Sequence, residues 1–357
     1  MARTVKHLSL HRIAGTELRV VADVEDGVLP IVEIEEAVIR KYVRQQPWPH
    51  QSVNLFVLED LQPLVHQLKQ QQPKGRRQEA DSLQPAATSD MPVVNVYDLA
   101  DLASCNVFVN RQVMVREGYW DDSLAVQGLL AHEHAHPLAE NVTTRASREL
   151  ALQVALEGPS LTGCSLELKD RLQRLLIGLA TKLCLYAPRE ILANQITIAS
   201  GFGDALLYLD RRNVTNASRS VMGRDELRRQ LQQQVAQGSL TPTGSELVLL
   251  VGDMNSYLDL ALEIAPFYRA GREGDARELE AMLEKDVFSR LEPKVAQVYA
   301  ALRDQYVALD INLAWAASRA WSASILDLLA QTLGGGRVAV TVSPGFTESL
   351  TPRNQGG

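Results

Sequence analysis

The chain has 357 residues and a formal net charge of −7, with 46% of residues hydrophobic and 22% charged. Those values predict a soluble globular protein of one large or two modest domains, long enough to bury a sizeable core. Acidic groups outnumber basic ones and no basic patch is concentrated anywhere, which argues against nucleic acid as a partner.

The N-terminal stretch MARTVKHLSLHRIAG is basic without an apolar h-region, so no cleaved signal peptide is expected and a cytoplasmic location is the default. Residues 17–24 alternate loosely and are rich in β-formers, 31–43 carry helical periodicity, and 52–58 form a compact apolar strand. A short helix is expected from Leu61 to Lys69. From 70 to 91 the composition turns polar, QQQPKGRRQEADSLQPAATSDM, which predicts a mobile loop inserted in a domain. Residues 92–97 resume as a strand. The run NVFVNRQVMV, Asn106 to Val115, reads as a β-hairpin or paired strands, and Asp121, Asp122 and Ser123 then offer caps for the next helix.

That helix carries LAVQGLLAHEHAH, residues 124–136. His132 and His136 lie about 40° apart at about 100° per residue, so both imidazoles project from one helix face, one turn apart. This is a two-point metal clamp. Glu133 stands beside it, where its carboxylate can take a proton from a water at the metal. His134 lies about 200° from His132 and cannot join the same site, so it reads as structural or supporting. Pro137 is expected to end or kink the helix at His136.

Two histidines leave a metal in need of a third protein ligand and an open position. All seven histidines lie at or before residue 136, so a later histidine ligand is excluded and a downstream carboxylate is required. Glu140, Glu149, Glu157, Glu167 and Glu190 are the nearest candidates. Glu157 precedes Gly158 and Pro159 at the end of an expected helix spanning 147–157. Glu190 opens the helical stretch REILANQITIASGF, with Asn194 one turn later, where Glu190 can bind the ion and Asn194 can hydrogen-bond a ligand imidazole.

The remainder reads as mainly helical, over 165–185, 224–236, 245–270, 276–307 and 311–333. Within it, 172–186 is the longest candidate for an apolar run. Gln173, Arg174 and Lys182 interrupt it, so no membrane span is expected. Trp315 and Trp321 read as core anchors, Glu278, Glu280, Glu284 and Arg290 as a solvated face, and 338–342 as a short strand before a disordered tail. Cys105, Cys164 and Cys184 are odd in number and lack CxxC spacing, which suits buried reduced thiols. The domain organisation expected is 1–215, then a helical region 216–335, then a strand and tail 336–357.

The segments VFVNRQVMV, DDSLAVQGLLAHEHAH and REILANQITIASGFGDALLYL together resemble the HtpX-like and CAAX-protease-like zinc metallopeptidases, including their soluble minigluzincin relatives. The resemblance covers roughly residues 105–210. It implies an α+β, zincin-like fold with a small mixed sheet, Zn2+ held by His132, His136 and Glu190, and Glu133 as general base and acid. Asn194 would support a ligand, and a peptide or protein would be the substrate. Three residues depart from the pattern: Ala135 replaces the usual Gly, Asn194 the usual Asp, and Pro137 follows the second ligand. Tyr186, Tyr208, Arg211 and Arg212 remain open as stabilisers of the oxyanion. Two other readings stand beside the peptidase: a catalytically silent zincin-fold regulator or scaffold that binds a partner, and a helical scaffold whose HExxH is fortuitous.

Overall fold

A computed structural model describes residues 4–62, 91–157, 164–334 and 339–346. The expected helix at Leu61–Lys69 beyond its first two residues, the expected loop at 70–91 apart from Met91, and the tail after 346 lie outside the described residues. The chain divides into two compact units: 1–139 with 196–209, and 140–195 with 210–357.

The first unit is built on a five-stranded mixed sheet. Its strands are β1 (His7–Ile13), β2 (Thr16–Ala22), β3 (Ser52–Leu58), β4 (Val93–Tyr97) and β5 (Ser104–Asn110), in the order β1-β2-β3-β5-β4. Pairings β2/β3 and β3/β5 are parallel, whereas β1/β2 and β4/β5 are antiparallel. Alternation places Val53, Leu55 and Val57 of β3 beside Cys105, Val107 and Val109 of β5, all fully buried on one face. On the other face Phe56 and Phe108 stack with ring centroids 4.8 Å apart, next to Leu58, Leu61 and Val94.

Helix α1 (Val28–Gln45) starts at Gly27, whose φ of +79° and contact with the Trp120 indole leave no room for a β-carbon. It buries Val28, Ile31, Val32, Glu35, Val38, Ile39 and Tyr42, a stripe at three and four residue spacing. A short helix α2 (Arg111–Arg116) follows β5, so the run 106–115 is not a hairpin. Its first half is the inner strand β5, and the edge on that side of the sheet belongs to β4. Alternating valines fit both periodicities over so short a stretch, and the chain turns helical directly after Asn110.

Helix α3 (Ser123–Leu138) is capped by Asp122, whose carboxylate accepts from the backbone of Leu124 and Ala125. It buries residues all round, including Glu133, His134 and His136. The helix does not end at His136: it runs through Pro137 to Leu138. Proline removes the N–H that the Glu133 carbonyl would take, and the Asn95 side-chain amide supplies a donor there at 3.1 Å. Gly128 is a point of close approach, since a β-carbon would meet the Leu209 side chain at 2.6 Å and the Ala205 carbonyl at 3.0 Å.

The second unit begins with α4 (Val142–Arg148), closed by an Asn141 and Thr144 capping box, and then enters a strand, β6 (Leu150–Glu157). The helix expected over 147–157 is therefore corrected. Leu150 and Val154 are buried one helical turn apart in sequence, yet ALQVALE pairs antiparallel along its length with β7 (Ala339–Phe346). Next comes a nearly continuous helical run: α5 (Leu166–Ala180), a π turn (Thr181–Tyr186), α6 (Ala187–Thr197), a second π turn (Ile198–Phe202) and α7 (Gly203–Ala236). Residues 196–209 of this run belong to the first unit. There Gly201, at φ +82°, breaks the helical path, and Lys41 caps the turn by donating to its carbonyl.

The expected helices 245–270 and 276–307 are each divided, giving α8 (Pro242–Tyr257), α9 (Leu260–Arg269), α10 (Glu273–Asp286) and α11 (Pro293–Val307), followed by α12 (Trp315–Gly334). Pro293 starts α11 at its first turn, as its fixed φ favours. No helix among the described residues is long and apolar enough to cross a membrane.

Candidate metal centre

His132 and His136 stand one turn apart on α3, their ring centroids 4.6 Å apart and nearly perpendicular. Glu133 is 5% exposed, and its Oε2 accepts the backbone N–H of Asn95 at 2.9 Å. Asn95 therefore grips Glu133 twice, by main chain at the carboxylate and by side chain at the carbonyl. Because β4 is one of the two edge strands among the described residues, that sheet edge and the carboxylate are held in register.

Tyr42 of α1 fixes the helix from behind. Its hydroxyl donates to the Ala131 carbonyl at 2.7 Å and lies 3.4 Å from the Thr197 hydroxyl. Burial pushes the Tyr42 phenol well above its ordinary pKa, so it stays a donor. Thr197 is the last residue of α6, and Glu190 is in the first turn of that same helix.

His132 and His136 belong to the first unit, and Glu190, the third ligand expected from the sequence, stands in the first turn of α6 within the second. His136 is buried, while His132 and Glu190 are half-buried. Two imidazoles and one carboxylate form a donor set that fits zinc in its catalytic form, which takes three protein ligands and keeps one position open. Asn194, one turn beyond Glu190, is 6% exposed. Among the other carboxylates considered, Glu140 is paired with Arg148.

The open positions for an oxyanion stabiliser narrow. Tyr208 donates its hydroxyl to Asp122, and Arg211 makes two hydrogen bonds to Glu278. Tyr186 is 53% exposed. Asn95 and Tyr42 were not foreseen as part of the site. A polar residue at a buried position of the apolar strand VVNVY was the available signal for Asn95.

No protein-family model matches the chain, and no curated protein or solved structure matches it.

Proposed function

We propose that the chain is a zinc-dependent peptidase of the gluzincin type, with His132, His136 and Glu190 as metal ligands and Glu133 as general base. The HExxH pair set one turn apart on α3, with the Glu133 carboxylate held beside it by Asn95, is the observation that carries this reading. The same resemblance to soluble minigluzincins accounts for the mixed sheet, the HExxH helix and the later helix bearing Glu190. When bound, zinc would lower the pKa of a water towards about 7 and polarise a substrate carbonyl.

Glu133 takes a proton from the attacking water and returns it to the departing amine nitrogen. Asn95 orients that carboxylate by donating its backbone N–H to Oε2. An extended peptide adds to the outer edge of β4, where main-chain hydrogen bonds supply affinity and alternate side chains supply selectivity. Asn194 hydrogen-bonds a ligand imidazole without adding a charge.

The test is digestion of a peptide library by the zinc-loaded chain and by Glu133→Gln, with metal content measured on both. Cleavage by the wild type that falls at least about 100-fold in Glu133→Gln, at unchanged metal content, is the expected result. Equal cleavage by both overturns the proposal. A zinc-loaded wild type that cleaves nothing supports the second reading, a catalytically silent zincin that binds a partner, as the departures at Ala135, Pro137 and Asn194 would allow.

A further inference from the structure

The face of α3 turned away from the HExxH pair carries a second group of ligand atoms. His134 of α3, Cys105 of β5 and His50, which precedes β3, each present one such atom within 4.8 Å of the other two, and all three residues are buried. They are 0%, 0% and 3% exposed, respectively. His134 is about 200° from His132 on the helix, so this group is separate from the His132, His136 and Glu190 set.

The ring nitrogens are already sorted into donors and lone pairs. His50 Nδ1 lies 2.5 Å from the Leu102 carbonyl, which can only accept, so Nδ1 carries the proton and Nε2 the lone pair. Burial holds the His50 imidazole neutral, pushing its pKa down to about 4. His134 Nε2 lies 2.7 Å from Glu35 Oε1, which orients the ring and leaves Nδ1 facing the cluster. Both His50 Nε2 and His134 Nδ1 are fully buried and have no hydrogen-bond partner among the described residues. Two orphaned acceptors of this kind are costly, and here they lie beside one thiol.

We propose that His50, Cys105 and His134 supply three of the four donors of a second, buried zinc ion. A thiolate and two imidazoles form a set that zinc takes, and Glu35 on His134 is the carboxylate–histidine arrangement that fixes a ligand's tautomer and orientation. Burial, then the charge of Glu35, raises the Cys105 thiol well above its ordinary pKa, while a hydrogen bond from the Asn95 side chain lowers it, so the thiolate forms only with the charge of the ion beside it. On binding, the Cys105 thiol gives up its proton to solvent and sulfur donates its lone pair to the metal, one proton being released per ion. The ion, one thiolate and the Glu35 carboxylate sum to zero charge, as a fully buried site requires. Tetrahedral zinc sets its donors about 3.3 to 3.6 Å apart, so small side-chain rotations close the group around it.

The consequence is mechanical. The ion ties α3, β5 and the segment before β3 together behind the helix that carries Glu133, with α1 joined through Glu35. Asn95 touches both sets, donating to the Glu133 carbonyl and to Cys105.

The test is cobalt substitution of the full chain, read by optical absorption. The proposal predicts a thiolate-to-cobalt charge-transfer band in the wild type, which persists when Cys164 and Cys184 are both changed to Ser and disappears in Cys105→Ser. It also predicts that Cys105→Ser loses one equivalent of metal and that Glu190→Ala keeps the band. A cobalt-loaded wild type without the band overturns it, whether or not Cys105→Ser folds. A band that disappears with Cys164 and Cys184 overturns it too. The Glu190→Ala arm separates the two sites, because failure of the peptidase reading leaves the thiolate band in place.

Discussion

Asn95 donates its side-chain amide to the backbone carbonyl of Glu133, the carbonyl whose helical donor Pro137 has removed. An edge strand thus repairs a helix at the turn that carries the HExxH residues. Proline and asparagine form one device: the first opens the hydrogen-bond ladder and the second fills it.

That device makes a coupling prediction. Asn95→Ala leaves a buried carbonyl without its donor and costs about 1 to 3 kcal/mol. In a Pro137→Ala background, residue 137 regains an N–H that reaches the Glu133 carbonyl, and the same substitution costs less. The Asn95 contact with Cys105 is lost in both backgrounds and cancels in the cycle. Chemical denaturation of the four proteins measures the coupling, and additivity within about 0.5 kcal/mol would contradict the account.

Asp210 is 3% exposed, and burial, then the charge of Glu263, raises its pKa well above the ordinary carboxylate value. In the unfolded chain the group titrates near about 3.9. Between the two values the folded state holds more protons than the unfolded state, so stability falls as pH rises from about 4 towards the folded-state pKa. Asp210→Asn removes that slope and raises stability at neutral pH, by about 1 kcal/mol or more. Unfolding curves from pH 4 to 8 check this, and a variant with the same slope as the wild type would sink it.

Gly201 holds a φ of +82°, and a β-carbon there would lie 2.8 Å from Lys41 Nζ, the group that caps its carbonyl. Gly201→Ala therefore costs about 1 to 2 kcal/mol for the left-handed backbone, with the displaced Lys41 adding to it. Gly178 of α5 is exposed, and nothing lies within 4 Å of its would-be β-carbon. Gly178→Ala is expected to stabilise by about 1 kcal/mol. Opposite signs in thermal melting distinguish the two glycines.

Local patterns were legible and distant pairings were not. Strand β3 follows its apolar run at both ends, and α1 follows its three and four residue stripe. The placing of His132 and His136 on one helix face was readable because a fixed helical spacing sets it, and Glu190 was proposed because histidines run out at residue 136. Strand β1 escaped notice: its leucines Leu8 and Leu10 face outward, 75% and 60% exposed, while His and Ser alternate with them. Residues 150–157 read as helix because their partner strand lies far along the chain at 339–346. His50, Cys105 and His134 come from three elements with no common spacing, so nothing in the sequence joins them.

Zinc content after purification without added metal, compared among wild type, His136→Ala and Glu190→Ala, tests the central claim most directly. The account predicts that each variant loses one equivalent relative to the wild type, and that Glu133→Gln loses none. A wild type that holds no zinc even when supplied with it, or a Glu190→Ala chain that keeps the wild-type content, would contradict a site built from His132, His136 and Glu190.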